Sequence, residues 1–126
     1  MSRIDKTESA IGVFRGPLNA NLTGGADPLG VGINSSGRVV AGAGDTGIVG
    51  IIVSPFDKVA GDIIDVMTFG ELVEFDGAAG TVYTANTTTG VIDDTAASAT
   101  QVPIGFTVEA TRLIVRKSVA AFDAVV

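Results

Sequence analysis

Cysteine, histidine and tryptophan are missing altogether from the 126-residue chain. Without cysteine there is no disulfide, no thiol nucleophile and no thiolate metal ligand. Without histidine the commonest general base and the commonest metal ligand are gone. Ser-His-Asp and Cys-His catalysis are excluded, together with zinc sites of the usual kind. Aromatic residues make up 6%, with Tyr83 the single tyrosine, which leaves little for stacking on sugars.

Long apolar runs are missing too. No stretch of about 18 apolar residues occurs, so no transmembrane helix and no membrane partner are expected. The opening MSRIDKTESA has no apolar h-region and does not read as a secretory signal. Basic residues are scarce, 8 against 14 acidic, for a net charge of −6. The first 15 positions hold three basic and two acidic residues; the rest holds five and twelve. An acidic body argues against a nucleic-acid partner, which requires a basic face. The slightly basic start suits either an acidic protein surface or simple solvation.

What is abundant is Val, Ile, Ala and glycine, with hydrophobic residues at 46% and 17 glycines. That mixture suits short β-strands joined by tight turns. It also suggests that other subunits cover some apolar surface. Residues 1–35 show no sustained period and are punctuated by Gly24, Gly25, Gly30, Gly32, Pro17 and Pro28. They read as an extended N-terminal arm, with a short helical start conceivable at TESAIGVF under a Thr7 cap. Residues 36–126 read as one β-rich domain. GRVVAG, GIVGIIVS, IIDVMTF, ELVEF, TVYTA and VID are strands, and QVPIGFTVEATRLIVRK holds two more. GIVGIIVS has the continuous apolar pattern of a strand buried on both faces. Ile64 and Val66 share a face opposite Ile63 and Asp65; Leu72 faces away from Val73 and Phe75; Ile104, Phe106 and Val108 share a face; Leu113 and Val115 oppose Arg112, Ile114 and Arg116. The tail SVAAFDAVV is a last strand or a short terminal segment. The fold class is all-β, a small β-barrel or β-sandwich with an extended arm.

Residues 42–47, GAGDTG, carry two signatures. Gly42, Gly44 and Gly47 spell the dinucleotide fingerprint, which works only between a strand and a helix. The run IVGIIV after Gly47 is β-branched around a glycine, with Pro55 close behind, so no helix and no cofactor are expected. Asp45-Thr46-Gly47 matches the aspartic-protease triplet, but the lead-in is Gly42-Ala43-Gly44 and the second protease signature is absent. Gly44-Asp45-Thr46-Gly47 reads instead as a turn. Asp93 and Asp94 lack the spacing of a cation loop, and Glu71 and Glu74 point apart. No catalytic, cofactor or metal residue is assigned, and no enzyme activity is expected. Arg112 and Arg116 share a strand face as surface or interface partners for acids.

From residue 37 to 117 the runs GDTGIVGIIV, AGDIIDVMTFGELVEF, GTVYTANTTTG and PIGFTVEATRLIVRK resemble small β-rich head-decoration, or cement, proteins of tailed bacteriophages. The resemblance covers about two thirds of the chain and rests on turns and strands. It implies a structural virion protein made in the host cytoplasm. Such a protein binds the outer surface of the expanded capsid, often as a homotrimer, and bridges capsomers of the major capsid protein. It implies further that the arm reaches the shell or a sister subunit, with Arg3, Ile11, Phe14, Arg15 and Leu18 as interface residues. The alternative is a phage tail or fibre module, or a β-module that binds host-surface glycans.

Overall fold

A computed structural model of the chain describes residues 13–25 and 27–116. The Thr7-capped start and the tail SVAAFDAVV lie outside the described residues. Among those described there are ten strands and no helix: β1 (Val13–Pro17), β2 (Leu29–Ile33), β3 (Val39–Ala41), β4 (Gly50–Ile52), β5 (Ile63–Met67), β6 (Phe69–Val73), β7 (Val82–Asn86), β8 (Ile92–Asp93), β9 (Gln101–Thr107) and β10 (Arg112–Arg116). They form two five-stranded antiparallel sheets, ordered β1-β5-β4-β2-β3 and β6-β10-β9-β7-β8. The architecture is a sandwich-like pair of sheets, not a closed barrel. Only Thr68 separates β5 from β6, so one chain direction runs from the first sheet into the second.

The first sheet curls until the end of β1 meets β3. Leu18 bridges Val39, and the Asn19 N–H donates to the Val39 carbonyl at 2.9 Å. The curl encloses Leu18, Val31, Val39, Ile52, Ile64 and Val66. A second cluster lies between the sheets, where Ile48 and Ile51 meet Phe75, Tyr83, Ala85, Val102, Ile104, Leu113 and Val115. β4 lies between the two clusters and is buried at all three positions, which is why its sequence does not alternate.

The expected boundary at residue 35 is not where the fold divides. β1 pairs with β5, and β2 is flanked by β3 and β4 inside the first sheet. Leu18 is 3% exposed. Residues 13–35 thus belong to the domain; their glycines and prolines hide strands that tertiary pairing supplies.

Two alternations also shift. A bulge between β7 and β9 leaves Ile104 without an opposite residue, since Tyr83 pairs with Gly105 and Thr84 with Pro103. Ile104 is therefore fully buried while Phe106, two residues on, is exposed on the opposite side. Phe75 points into the core with Leu72 rather than away from it, because Glu74 takes a left-handed φ of 58° and resets the pleat.

The GAGDTG segment is a turn laid across β2. The Asp45 N–H donates to the Ile33 carbonyl at 2.9 Å, and the Ile33 N–H donates to Thr46 Oγ1 at 3.0 Å. The approach needs glycine at position 32, where a Cβ would sit 1.9 Å from the Ala43 carbonyl oxygen. Asp45 is exposed, while Ile48 just beyond it is fully buried between the sheets. Ile48→Ala is expected to lower unfolding stability by about 2–5 kcal/mol. Asp45→Ala is expected to stay within about 0.5 kcal/mol of wild type. Urea unfolding of both variants checks this; a costlier Asp45 change would mean that the carboxylate holds the turn.

Candidate interaction surface

The second sheet has an inner face in the core and an outer face built unevenly. Over β7–β9 the outer face is closed by polar groups. Gln101 Nε2 donates to Thr84 Oγ1 at 2.8 Å, Thr84 Oγ1 donates to the Thr95 carbonyl at 2.8 Å, and Asn86 Nδ2 donates to Gln101 Oε1 at 2.8 Å. These bonds draw residues 94–101 over the sheet and satisfy groups that burial would otherwise penalise.

The other half is bare. Strand register places Ile114 opposite both Phe106 and Glu71, Phe106 opposite Val82, and Arg116 opposite Phe69. Apolar side chains thus run across four neighbouring strands. Phe69 is 48% exposed, Phe106 41% and Val82 58%. With Pro103 and Ile114 they line a shallow groove of about 890 Å³.

Charge is arranged around this groove. Arg112 reaches Glu109 at 2.6 Å and Glu71 at 3.4 Å. The hydrogen bond from Arg112 holds the Glu109 carboxyl below its ordinary value, and the same bond raises the Arg112 guanidinium. Arg116, at the groove's rim, makes no ion pair among the described residues. A second hollow, of about 770 Å³, opens between the sheets. Its floor includes Leu72, Phe75 and Ile92, and its rim carries Asp27, Glu74, Asp76, Asp93 and Asp94. No residue lining it is basic.

The residues singled out from sequence are dispersed. Arg3 and Ile11 lie outside the described residues. Phe14 is exposed on β1, an edge strand. Arg15 pairs with Asp65 of β5 at 2.8 Å, with both side chains largely in solvent. Such a pair is worth at most about 1 kcal/mol, so a partner can exchange it cheaply. Leu18 faces the core and is no surface anchor, because the curl of the first sheet closes over it. Tyr83 is buried too, edge-on to Phe75 at 4.9 Å, and its hydroxyl accepts from the Ala78 N–H at 2.8 Å. Sequence reasoning missed the groove. Arg112, Ile114 and Arg116 were legible on one face, but Phe106 emerges only through the bulge.

No group of acidic, histidine or cysteine residues able to hold a metal occurs among the described residues. The geometry describes a small all-β scaffold whose distinctive features are sheet faces and edges. No protein-family model matches the chain, and no curated protein matches it. Its fold is similar to that of a solved chain from Mycobacterium phage Patience. The two are 21% identical with a TM-score of 0.77, over 90% of this chain and 95% of the other. At that identity the likeness is one of fold.

The arginine cluster makes a testable statement about pH. A carboxyl whose pKa is lowered by folding adds stability above its ordinary range and loses it as pH falls through the lowered value. In Arg112→Ala, the Glu109 titration followed by NMR is expected to move up to the ordinary carboxylate range. An unmoved midpoint would show that Arg112 is not the cause.

Proposed function

We propose that the protein is a structural component of a tailed-phage virion, one that binds the outer surface of the expanded capsid and stabilises it by bridging capsomers. In this reading it acts as a homotrimer on the major capsid protein, by binding and without turnover, and takes no cofactor. The observation that carries the reading is the fold shared with a mycobacteriophage chain across 90% of this chain. The resemblance of residues 37–117 to head-decoration proteins points the same way.

The chemistry available for shell binding is that of edges and exposed apolar groups. β1 offers an edge strand for main-chain pairing, with Phe14 exposed beside the weak Arg15–Asp65 pair. The segment 1–12 precedes it directly and brings Arg3, Lys6 and Ile11. Capsid binding would bury these groups and exchange the ion pair for one with the shell.

Co-sedimentation with expanded capsids, with unexpanded procapsids as the control, tests the reading. Saturable binding to expanded shells alone is expected. Deletion of 1–12 together with Phe14→Glu is expected to weaken it by at least about tenfold, or about 1.4 kcal/mol. The deletion stops at residue 12 because β1 and Leu18 are parts of the first sheet and its core. Failure of the wild-type protein to bind either shell would overturn the capsid reading. Full affinity in the variant would remove β1 and the arm from the interface.

A further inference from the structure

We propose that the bare outer face of the second sheet is the surface by which one copy of this chain docks on the next, head to tail, with the acid-rimmed hollow of the neighbour as its counterpart. This deepens the self-association in the reading above and is independent of the capsid. It depends on two features of one molecule that fit each other and cannot satisfy each other within it.

The first is the groove. A two-layer β protein ordinarily presents polar residues on its outer sheet faces. Here half of one outer face obeys that rule, sealed by the Gln101–Thr84–Thr95 bonds, and the other half does not. Phe69, Phe106 and Val82 stay exposed in a continuous patch with Ile114 and Pro103. Contiguous apolar area on a sheet face, rimmed by polar groups, marks a contact surface.

The second feature is charge. The chain is acidic overall, at −6, yet the groove's rim holds Arg112 and Arg116, the latter without an ion pair among the described residues. The other hollow has the opposite rim, five carboxylates and no cation, around its own apolar floor. None of the five is in an ion pair among the described residues; Asp93 only accepts hydrogen bonds from the Thr95 N–H and Gln101 Nε2. Both surfaces combine apolar contact with a charged rim, and their signs are opposite. A contact between unlike patches is heterologous and closes into a ring when the rotation allows it. Face-to-face docking of two grooves would instead bring arginines against arginines.

The occupant is therefore a second copy. Neither a sugar nor a membrane surface presents this pairing of acid rim and apolar floor. Docking would cover Phe106 near the centre of the contact and set Arg116 against the neighbour's carboxylates. The ionic rim adds orientation and rate, and the apolar centre adds affinity.

The test uses the purified full-length chain and analytical ultracentrifugation. Wild type is expected to self-associate with concentration. Phe106→Glu and Arg116→Glu are each expected to sediment as monomers, as is the acid-end variant carrying Glu74→Lys and Asp76→Lys. Circular dichroism and the unfolding midpoint check that each variant is folded. The decisive step mixes Arg116→Glu with the acid-end variant. Each has lost one half of the contact and keeps the other, so a head-to-tail interface yields a heterodimer from two monomers. A mixture that stays monomeric overturns the head-to-tail pairing. A wild type that stays monomeric at its highest soluble concentration overturns self-association itself, whatever its capsid binding. Wild-type assembly that persists in Phe106→Glu shows that copies associate through another surface and overturns this one alone.

Discussion

Backbone packed on backbone at Gly30 holds the two sheets in place. The Gly30 N–H donates to the Gly90 carbonyl at 2.7 Å, and the Gly42 N–H donates to the Gly30 carbonyl at 2.9 Å. A Cβ on Gly30 would lie 2.5 Å from the Ala85 Cβ, so no side chain fits there. Three segments meet at this point: β2, the turn that opens GAGDTG, and the turn that closes β7. Close approach makes buried main-chain groups satisfy one another, which leaves side chains free for the core. From there the Ala43 N–H reaches the Thr87 carbonyl, and the chain leaving the turn delivers Ile48 between the sheets. The glycines that imitate a nucleotide fingerprint are needed for this packing.

With the sheets fixed in this way, the protein has few polar side chains to cover its second outer face. It covers one half with Thr84, Gln101 and the loop that they hold. On the other half the bulge at Ile104 turns Phe106 outward into line with Ile114 and Val82. A bulge placed at the mid-sheet rather than at a worn edge is a way to re-aim a side chain. Removing it would return Ile104 and Phe106 to one face and change both core and surface at once.

Legibility in the sequence tracked locality. The alternation of Ile63–Met67 and of Arg112–Arg116 is intact in the structure, because nothing interrupts either strand. The all-β class was legible from β-branched runs and glycine turns. β1 and β2 were not, since VFRGP and LGVGI are short, rich in Gly or Pro, and become strands only by pairing with β5 and β4. Phe75 and Phe106 were misplaced by one backbone irregularity each, the left-handed Glu74 and the bulge. Neither leaves a mark that period-2 reasoning detects. The groove was illegible for a further reason: it joins β6, β10, β9 and β7, an order that chain sequence does not suggest.

The acidic balance of the chain bears on how such a surface stays usable. An exposed apolar face invites non-specific association. A net charge of −6 opposes it at long range, and the opposition fades within a Debye length of about 8–10 Å. Inside that distance the local pattern of charge decides, and there the rim of Arg112 and Arg116 differs from the rest of the molecule. Approach in most orientations meets carboxylate with carboxylate. Approach with the arginine rim toward an acidic surface meets attraction, and only then do Phe69 and Phe106 come within van der Waals reach. Repulsion everywhere else is what makes one apolar face selective, so the scarcity of basic residues is part of how the surface is specified.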